Sequence, residues 1–167
     1  MMNLLRVLFA VVLICGLTWI TGCGDDDDDT TSPPETDEWV GTWLSAGENV
    51  APILVAVFNY DSVRVEFDED QIVTLDSHVA GGAWTSVSGT YLVTRYETGD
   101  IHSIETVYPA FSQEGIIQVI SANPDTMKLE VVQTVPDIGA IPRTPETGFG
   151  SDLTLGDLNI QIYLREE

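Results

Sequence analysis

Apolar and polar side chains alternate along much of the chain after residue 38. Residues 62–67, 126–131 and 158–165 each follow this period of two. Such alternation is typical of a β-strand with one buried face and one solvated face. Further short segments with strand composition complete a set of about nine predicted strands: 39–45, 53–59, 71–77, 85–96, 101–108 and 115–121.

Turn-forming residues separate these predicted strands, among them Gly81-Gly82 and Asn123-Pro124-Asp125. Asp68-Glu69-Asp70 is interpreted as a polar hairpin turn, because it lacks the spaced oxygen ligands and the glycine of a calcium-binding loop. No amphipathic helix is predicted, although residues 47–50 could form a short turn. Many short strands with tight connections predict an all-β fold, either an antiparallel sandwich or a barrel.

The N-terminal segment has the pattern of a signal peptide over residues 1–22. One positive charge, at Arg6, precedes an apolar stretch over 7–17 that is too short for a membrane-spanning helix. Ile20-Thr21-Gly22-Cys23 then resembles the lipobox of bacterial lipoproteins. The resemblance implies cleavage before Cys23, acylation of its thiol and its new amine with chains such as palmitate, and stable attachment to a membrane. The alternative is an ordinary secretory signal with an incidental cysteine.

Residues 23–37 are predicted to form an acidic flexible tether from the lipidated Cys23. Asp25–Asp29 are five successive carboxylates, and a proline-containing polar stretch follows them. A solvated spacer is the simplest interpretation; weak binding of divalent cations and a sorting signal are the alternatives. The acidic run resembles surface-export signals of some Bacteroidetes lipoproteins, and Gly24 differs from the aspartate that retains enterobacterial lipoproteins in the inner membrane. We therefore expect a lipid-anchored protein of the cell envelope, in the outer membrane, in either leaflet.

Composition narrows the partners that the chain can have. The 167 residues contain 27 Asp and Glu against 6 Lys and Arg, for a net charge of −21. This charge repels phosphate, so binding to nucleic acid or to anionic lipid headgroups by charge attraction is excluded. Cys15 lies in the predicted signal and Cys23 is the proposed lipid site, which leaves no thiol for a disulfide, a zinc site or a nucleophile.

Several short motifs of the predicted domain, residues 38–167, are similar to those of lipocalins and related bacterial lipoproteins. Gly41-Thr42-Trp43 opens the first predicted strand, Arg165 lies on the last, and residues 82–91 and 148–151 also match in kind and order. The resemblance implies an up-and-down barrel of about eight to nine strands, in which Gly41, Trp43 and Arg165 close one end. The alternation over 158–165 conflicts with this role, because it places Arg165 opposite the aliphatic residues and predicts that it points outward.

A barrel of this size has room for packed side chains or for one small ligand. Whether the interior is filled or hollow is left open by the sequence. The residues expected inside are Trp43, Val65, Phe67, Tyr91, Val93, Met127 and Leu129. The aromatic residues selected as candidate ligand contacts are Phe67, Trp84, Tyr91, Tyr108, Phe111 and Phe149. Two loops are candidate lids, residues 136–157 with Ile141 and Phe149, and residues 109–114 with Phe111; the first could equally be a surface excursion.

No catalytic or metal-binding motif is recognised. His78 and His102 have no partner at metal-ligand spacing, and no Gly-x-Ser-x-Gly elbow is present. A hydrolase or isomerase would need groups converging inside the barrel, such as His102 with Tyr91 and Glu105. His102 and Glu105 alternate onto opposite strand faces, which argues against that set. We expect a protein that is not an enzyme and has no metal or cofactor.

These observations favour a membrane-anchored binding protein that holds a small apolar or amphipathic molecule. Its expected partners are the membrane, through Cys23, and that ligand; a monomer is favoured, although the sequence does not decide the oligomeric state. The alternative is a protein-interaction or structural envelope lipoprotein with a filled barrel core.

Overall fold

A computed structural model describes residues 36–167 and shows a closed barrel of eight antiparallel strands. Each strand pairs with the next, and β8 returns to β1, with Trp43 opposite Arg165. The predicted all-β up-and-down barrel is therefore confirmed, and it is compatible with a lipocalin-like fold. The strands are β1 (Gly41–Ala46), β2 (Tyr60–Phe67), β3 (Ile72–Val79), β4 (Thr85–Thr94), β5 (His102–Val107), β6 (Ser112–Ile120), β7 (Thr126–Val135) and β8 (Gln161–Arg165).

The predicted signal peptide, Cys23 and the tether as far as residue 35 lie outside the described residues. In the part that is described, none of the helices has the length and apolar character needed to cross a membrane.

One predicted strand is wrong, because residues 53–59 belong to a helix. The helix α1 spans Pro52–Phe58, with proline in its first turn, and it ends at Asn59 in the left-handed conformation with φ of 57°. Proline at the first position and a left-handed residue after the last turn are ordinary helix boundaries. A short apolar run without alternation fits either a buried strand or a helix, so the pattern did not separate them. Short 3₁₀ helices cover Gly47–Asn49 and Gly156–Asn159, so the last strand begins at Gln161 rather than 158.

The two ends of the barrel differ. At the closed end, where β1 begins and β8 finishes, large side chains fill the interior. The open end is the opposite one, where α1 and the β5–β6 turn lie. All seven residues expected inside the barrel are buried or partly buried in its core. The apolar core of the closed end comprises Trp39, Trp43, Val73, Tyr91, Ile104, Ile117 and Met127.

Arg165 lies across the closed end. Its guanidinium carbon is 4.0 Å from the centre of the fully buried Trp43 ring, and Nη1 and Nη2 donate to the carbonyls of Val40 and Glu38 at 2.8 and 2.6 Å. Gly41 makes this possible, because its φ is +135° and a Cβ there would lie 2.5 Å from Arg165 Nη1.

The prediction that Arg165 points outward is therefore wrong. On β8 the polar face is the interior one: Gln161 and Tyr163 are buried, whereas Leu164 is 38% exposed. The interior accepts polar residues here because it is hollow at this level, as described below. Outside, the preceding Ile160 is sheltered by the loop around Gly150, so an aliphatic outer face is tolerated.

Replacing Arg165 with Met should lower the free energy of unfolding by about 1.5–3 kcal/mol, because two carbonyls lose a charged donor and the Trp43 ring loses its cation. Chemical denaturation measures this loss. Arg95→Met is the matched control, since Arg95 also lies over a tryptophan, Trp39 at 4.6 Å, but with a side chain 56% exposed. Equal losses in the two variants would contradict the assigned role of Arg165.

Candidate functional site

A cavity of about 330 Å³ occupies the open half of the barrel. Its volume is at the lower end of the range of about 300–1,000 Å³ that is typical of small-molecule sites, so it has room for one small ligand. Phe67 forms part of its wall and packs against Tyr91 of the closed end, with ring centres 4.8 Å apart. The other apolar lining residues are Ala51, Leu54, Phe58, Tyr60, Val63, Val65, Leu75, Tyr108, Phe111, Leu129, Val131 and Tyr163.

Two buried polar side chains of the cavity wall each have a group that makes no hydrogen bond to any of residues 36–167. Gln161 Oε1 accepts the backbone N–H of Ala51 at 3.3 Å, whereas Gln161 Nε2 has no partner. Thr106 Oγ1 on β5 has none either. The two residues are only 4% and 5% exposed. An unpaired buried polar group costs about 1–3 kcal/mol, so each of these atoms would gain from a partner within the cavity.

Two tyrosines lie close to these groups. Burial raises the pKa of Tyr108 to about 12. Burial, followed by the nearby hydroxyl of Tyr108, raises the pKa of Tyr163 as well. Both hydroxyls therefore stay protonated at neutral pH and can donate hydrogen bonds. We refer to Thr106, Tyr108, Gln161 and Tyr163 as the polar patch of the cavity.

Charge is confined to the outside of the barrel and its closed end. Among the described residues that line the cavity, none is acidic, basic or a histidine. The basic residues of 36–167 all contact other groups: Arg64 with Glu166, Arg95 with Asp37, Lys128 with Phe149, Arg143 with Asp152 and Arg165 with Asp125. The cavity thus offers apolar area and neutral hydrogen-bonding groups.

Three of the six aromatic residues predicted as ligand contacts line the cavity, namely Phe67, Tyr108 and Phe111. The rings of Tyr108 and Phe111 are 4.6 Å apart at the turn between β5 and β6, where the second candidate lid was predicted. Their role as ligand contacts stays a prediction.

The other three predicted aromatic contacts lie away from the cavity. Trp84 is 43% exposed and lies 5.0 Å from the guanidinium of Arg64. Tyr91 belongs to the closed end, where its hydroxyl donates to the carbonyl of Asp68 at 2.6 Å. Phe149 packs under Lys128 on the outside, 4.4 Å from its ammonium nitrogen. Aromatic character alone therefore did not predict which of these residues line the cavity and which lie at the closed end or on the outside of the barrel.

Sequence reasoning also missed residues that form the cavity. Leu54 and Phe58 line it from α1, a segment that was interpreted as a strand. Gln161 was overlooked because alternation assigns a polar residue to the wet outer face. Its Oε1 interacts with a backbone group 110 positions away, and no local pattern reports such a contact.

The loop predicted as a possible lid, residues 136–157, is a surface excursion. Together with residues 158–160, which lead into β8, we call it the strap. Arg143 and its neighbours lie against outward-facing residues of β4, β5 and β6, such as Leu92 and Glu105. Further along, the Gly150 N–H donates to Glu130 on β7 at 2.8 Å. Ile141 is 70% exposed. Asn159 alone of the strap lines the cavity, so the strap covers the barrel wall rather than the opening.

Glu130 is the buried carboxylate beneath the strap, with 2% of its surface exposed. Burial raises its pKa above the ordinary value of 4.5, and the charges of Asp152 and Asp157 add to this effect. The Gly150 N–H and Arg143 oppose it. Between 4.5 and the raised pKa the folded chain binds more protons than the unfolded chain, so the unfolding free energy falls as pH rises through this window.

Glu130→Gln should remove that fall, since the amide oxygen still accepts the Gly150 N–H and carries no charge. Below pH 4.5 the variant is expected to have the same melting temperature as the original chain, and near neutral pH it is expected to have a higher one. Glu130→Ala should instead lose about 1.5–3 kcal/mol, because the hydrogen bond disappears. Melting temperatures measured from pH 4 to 8 test both variants, and the exposed Glu114→Gln serves as the control. If the melting temperatures of Glu130→Gln and of the original chain change with pH in the same way, the assignment is refuted.

The residues considered for catalysis do not converge. His102 is buried in the closed end, where Nδ1 accepts the Tyr96 N–H at 3.2 Å, and Glu105 is exposed on the outer face of the same strand. Tyr91 is engaged with the Asp68 carbonyl. His78 pairs with Asp61 at 2.6 Å, and this hydrogen bond lowers the pKa of Asp61. Over residues 36–167, no group of three or more His, Cys, Asp or Glu is arranged to hold a metal ion.

Comparisons of the chain with protein-family models, with curated proteins and with solved structures find no match.

Proposed function

We propose that the protein is a lipid-anchored envelope protein whose barrel binds one small apolar or amphipathic molecule. The observation that carries the proposal is the cavity of about 330 Å³, open at one end and walled by apolar side chains. Burying the apolar part of a ligand there is favourable by about 25 cal/mol per Å² removed from water. The closed end, filled by Trp43 and its neighbours, supports the walls of this cavity.

The lipobox-like Ile20-Thr21-Gly22-Cys23 supports the proposed anchor. The described chain enters the barrel at the closed end, where Asp37 pairs with Arg95 at 2.7 Å. The net charge of −21 makes acyl chains, rather than attraction to anionic headgroups, the source of membrane affinity.

Native mass spectrometry of the full-length protein, purified from its host in mild detergent, tests the binding function. We expect a non-covalent adduct of one small molecule per chain that is lost on denaturation. A clean mass without adduct, together with no thermal shift across a panel of apolar compounds, would overturn the binding proposal and favour the alternative of a protein-interaction module.

Cell fractionation tests the anchor separately. Cys23→Ser should move the protein from the membrane pellet to the soluble fraction, because the acylated thiol is lost. Cys15→Ser is the matched control and should leave the protein in the pellet, since this residue lies within the predicted signal. Retention of Cys23→Ser in the pellet would contradict lipidation at this position.

A further inference from the structure

The polar patch of the cavity makes a specific demand on a ligand. The orientation of the Gln161 amide follows from its contact with Ala51, because a backbone N–H can donate only to the oxygen. Nε2, with two N–H hydrogens, is therefore the group that makes no hydrogen bond within residues 36–167, although the Tyr163 hydroxyl lies near it. A ligand that satisfies Nε2 must bring a hydrogen-bond acceptor to this depth of the cavity.

Thr106 Oγ1 lies on β5, which β6 and β7 separate from β8, and it too makes no hydrogen bond within the described part of the chain. Tyr108, which directly follows β5, and Tyr163 on β8 both line the cavity, so the two sides each contribute a hydroxyl-bearing residue to its wall. An acceptor atom placed between them would find donors on both sides: an amide from Gln161 and hydroxyls from Thr106 or the two tyrosines.

The same cavity discriminates against charge. No lysine, arginine or histidine is among the described lining residues, so an ionised carboxylate would be buried without a counter-ion. Burying an unpaired charge is far more costly than burying a neutral hydrogen-bonded group. The excess of acidic over basic residues on the chain adds a repulsive field for any anion. A cationic headgroup would likewise meet no carboxylate among these residues.

We propose that the cavity selects a neutral apolar molecule with a carbonyl-type acceptor oxygen, which Gln161 Nε2 and Thr106 Oγ1 bind. Ketones, esters and amides with an aliphatic body belong to this class, whereas free fatty acids do not at neutral pH. This inference rests on the proposed binding function and names the ligand class for that same site.

Three probes of equal chain length test the selection: methyl octyl ketone, decanoate and decane, each titrated into the folded protein at pH 8. The ketone is expected to bind about tenfold more tightly than decanoate, which is a difference of about 1.4 kcal/mol, and several-fold more tightly than decane. Decanoate binding as tightly as the ketone, or decane doing so, would overturn the inference while leaving the binding function intact. Failure of all three probes to bind would overturn both.

Variants assign the selection to the polar patch. Thr106→Val keeps the shape of the side chain and removes the hydroxyl, and Gln161→Leu removes the amide. Each should reduce the ketone affinity toward that of decane and leave decane affinity unchanged. Gln118→Leu is the matched control, because Gln118 bonds Asp100 outside the cavity. An undiminished preference for the ketone in both cavity variants would contradict the role of the polar patch. An equal loss of affinity for ketone and for decane would identify a purely structural effect, which would contradict that role as well.

Discussion

Replacing Trp43 with Ala should destabilise the barrel by about 3–5 kcal/mol, the range typical of removing a large aromatic side chain from a packed core. Trp43 is fully buried, its Nε1 donates to the Trp39 carbonyl at 2.9 Å, and Arg165 lies over its ring. The substitution leaves a void at the closed end and removes the surface on which the guanidinium rests. Thermal or urea unfolding measures the loss.

Trp84→Ala is the matched control for this variant. Trp84 is 43% exposed and contacts Arg64 at the surface, so its removal should cost less than about 1 kcal/mol. Comparable losses in the two variants would show that Trp43 does not organise the closed end.

Replacing Val131 with Trp should abolish most ligand binding without unfolding the protein. Val131 faces the cavity from β7, and a larger side chain there would occupy the space that the ligand needs. Affinity for methyl octyl ketone is expected to fall by at least about tenfold, or 1.4 kcal/mol. Filling a cavity with apolar atoms commonly stabilises a protein, so the melting temperature should be unchanged or higher.

The matched control for Val131→Trp places the same residue on the outside. Val107 on β5 is 44% exposed, and Val107→Trp should leave affinity unaltered. If near-ultraviolet circular dichroism shows that Val131→Trp is misfolded, Ser77→Phe is used instead, because it fills the open end of the same cavity. Full affinity in a folded cavity-filled variant would place the binding site elsewhere.

The strands were predictable where one face is wet and the other is packed. Residues 62–67 alternate because Val63, Val65 and Phe67 enter the core while their neighbours face solvent, and β2 contains this segment. The helix α1 was missed because its seven residues are apolar without a clear period and because it sits at the rim, where several of them stay exposed.

The candidate site was harder to predict than the fold. Alternation assumes that polar residues face water, yet Gln161 faces a cavity, and this single reversal also inverted the expected direction of Arg165. The course of the strap depends on contacts distant in sequence, such as Gly150 with Glu130. Whether large residues fill a barrel or leave it hollow depends on how their side chains pack in three dimensions. This packing brings together residues that are distant in sequence, so local sequence patterns do not predict it.

The interior of the barrel, rather than its exposed apolar surface, is the proposed binding site of the ligand. Nuclear Overhauser contacts between methyl octyl ketone and methyl-labelled protein test this location. The ligand chain is predicted to show contacts with the methyl groups of Val65, Leu129 and Val131, all of which line the cavity. Contacts confined to exposed groups such as Val57 and Leu153, which are 64% and 105% exposed, would contradict it.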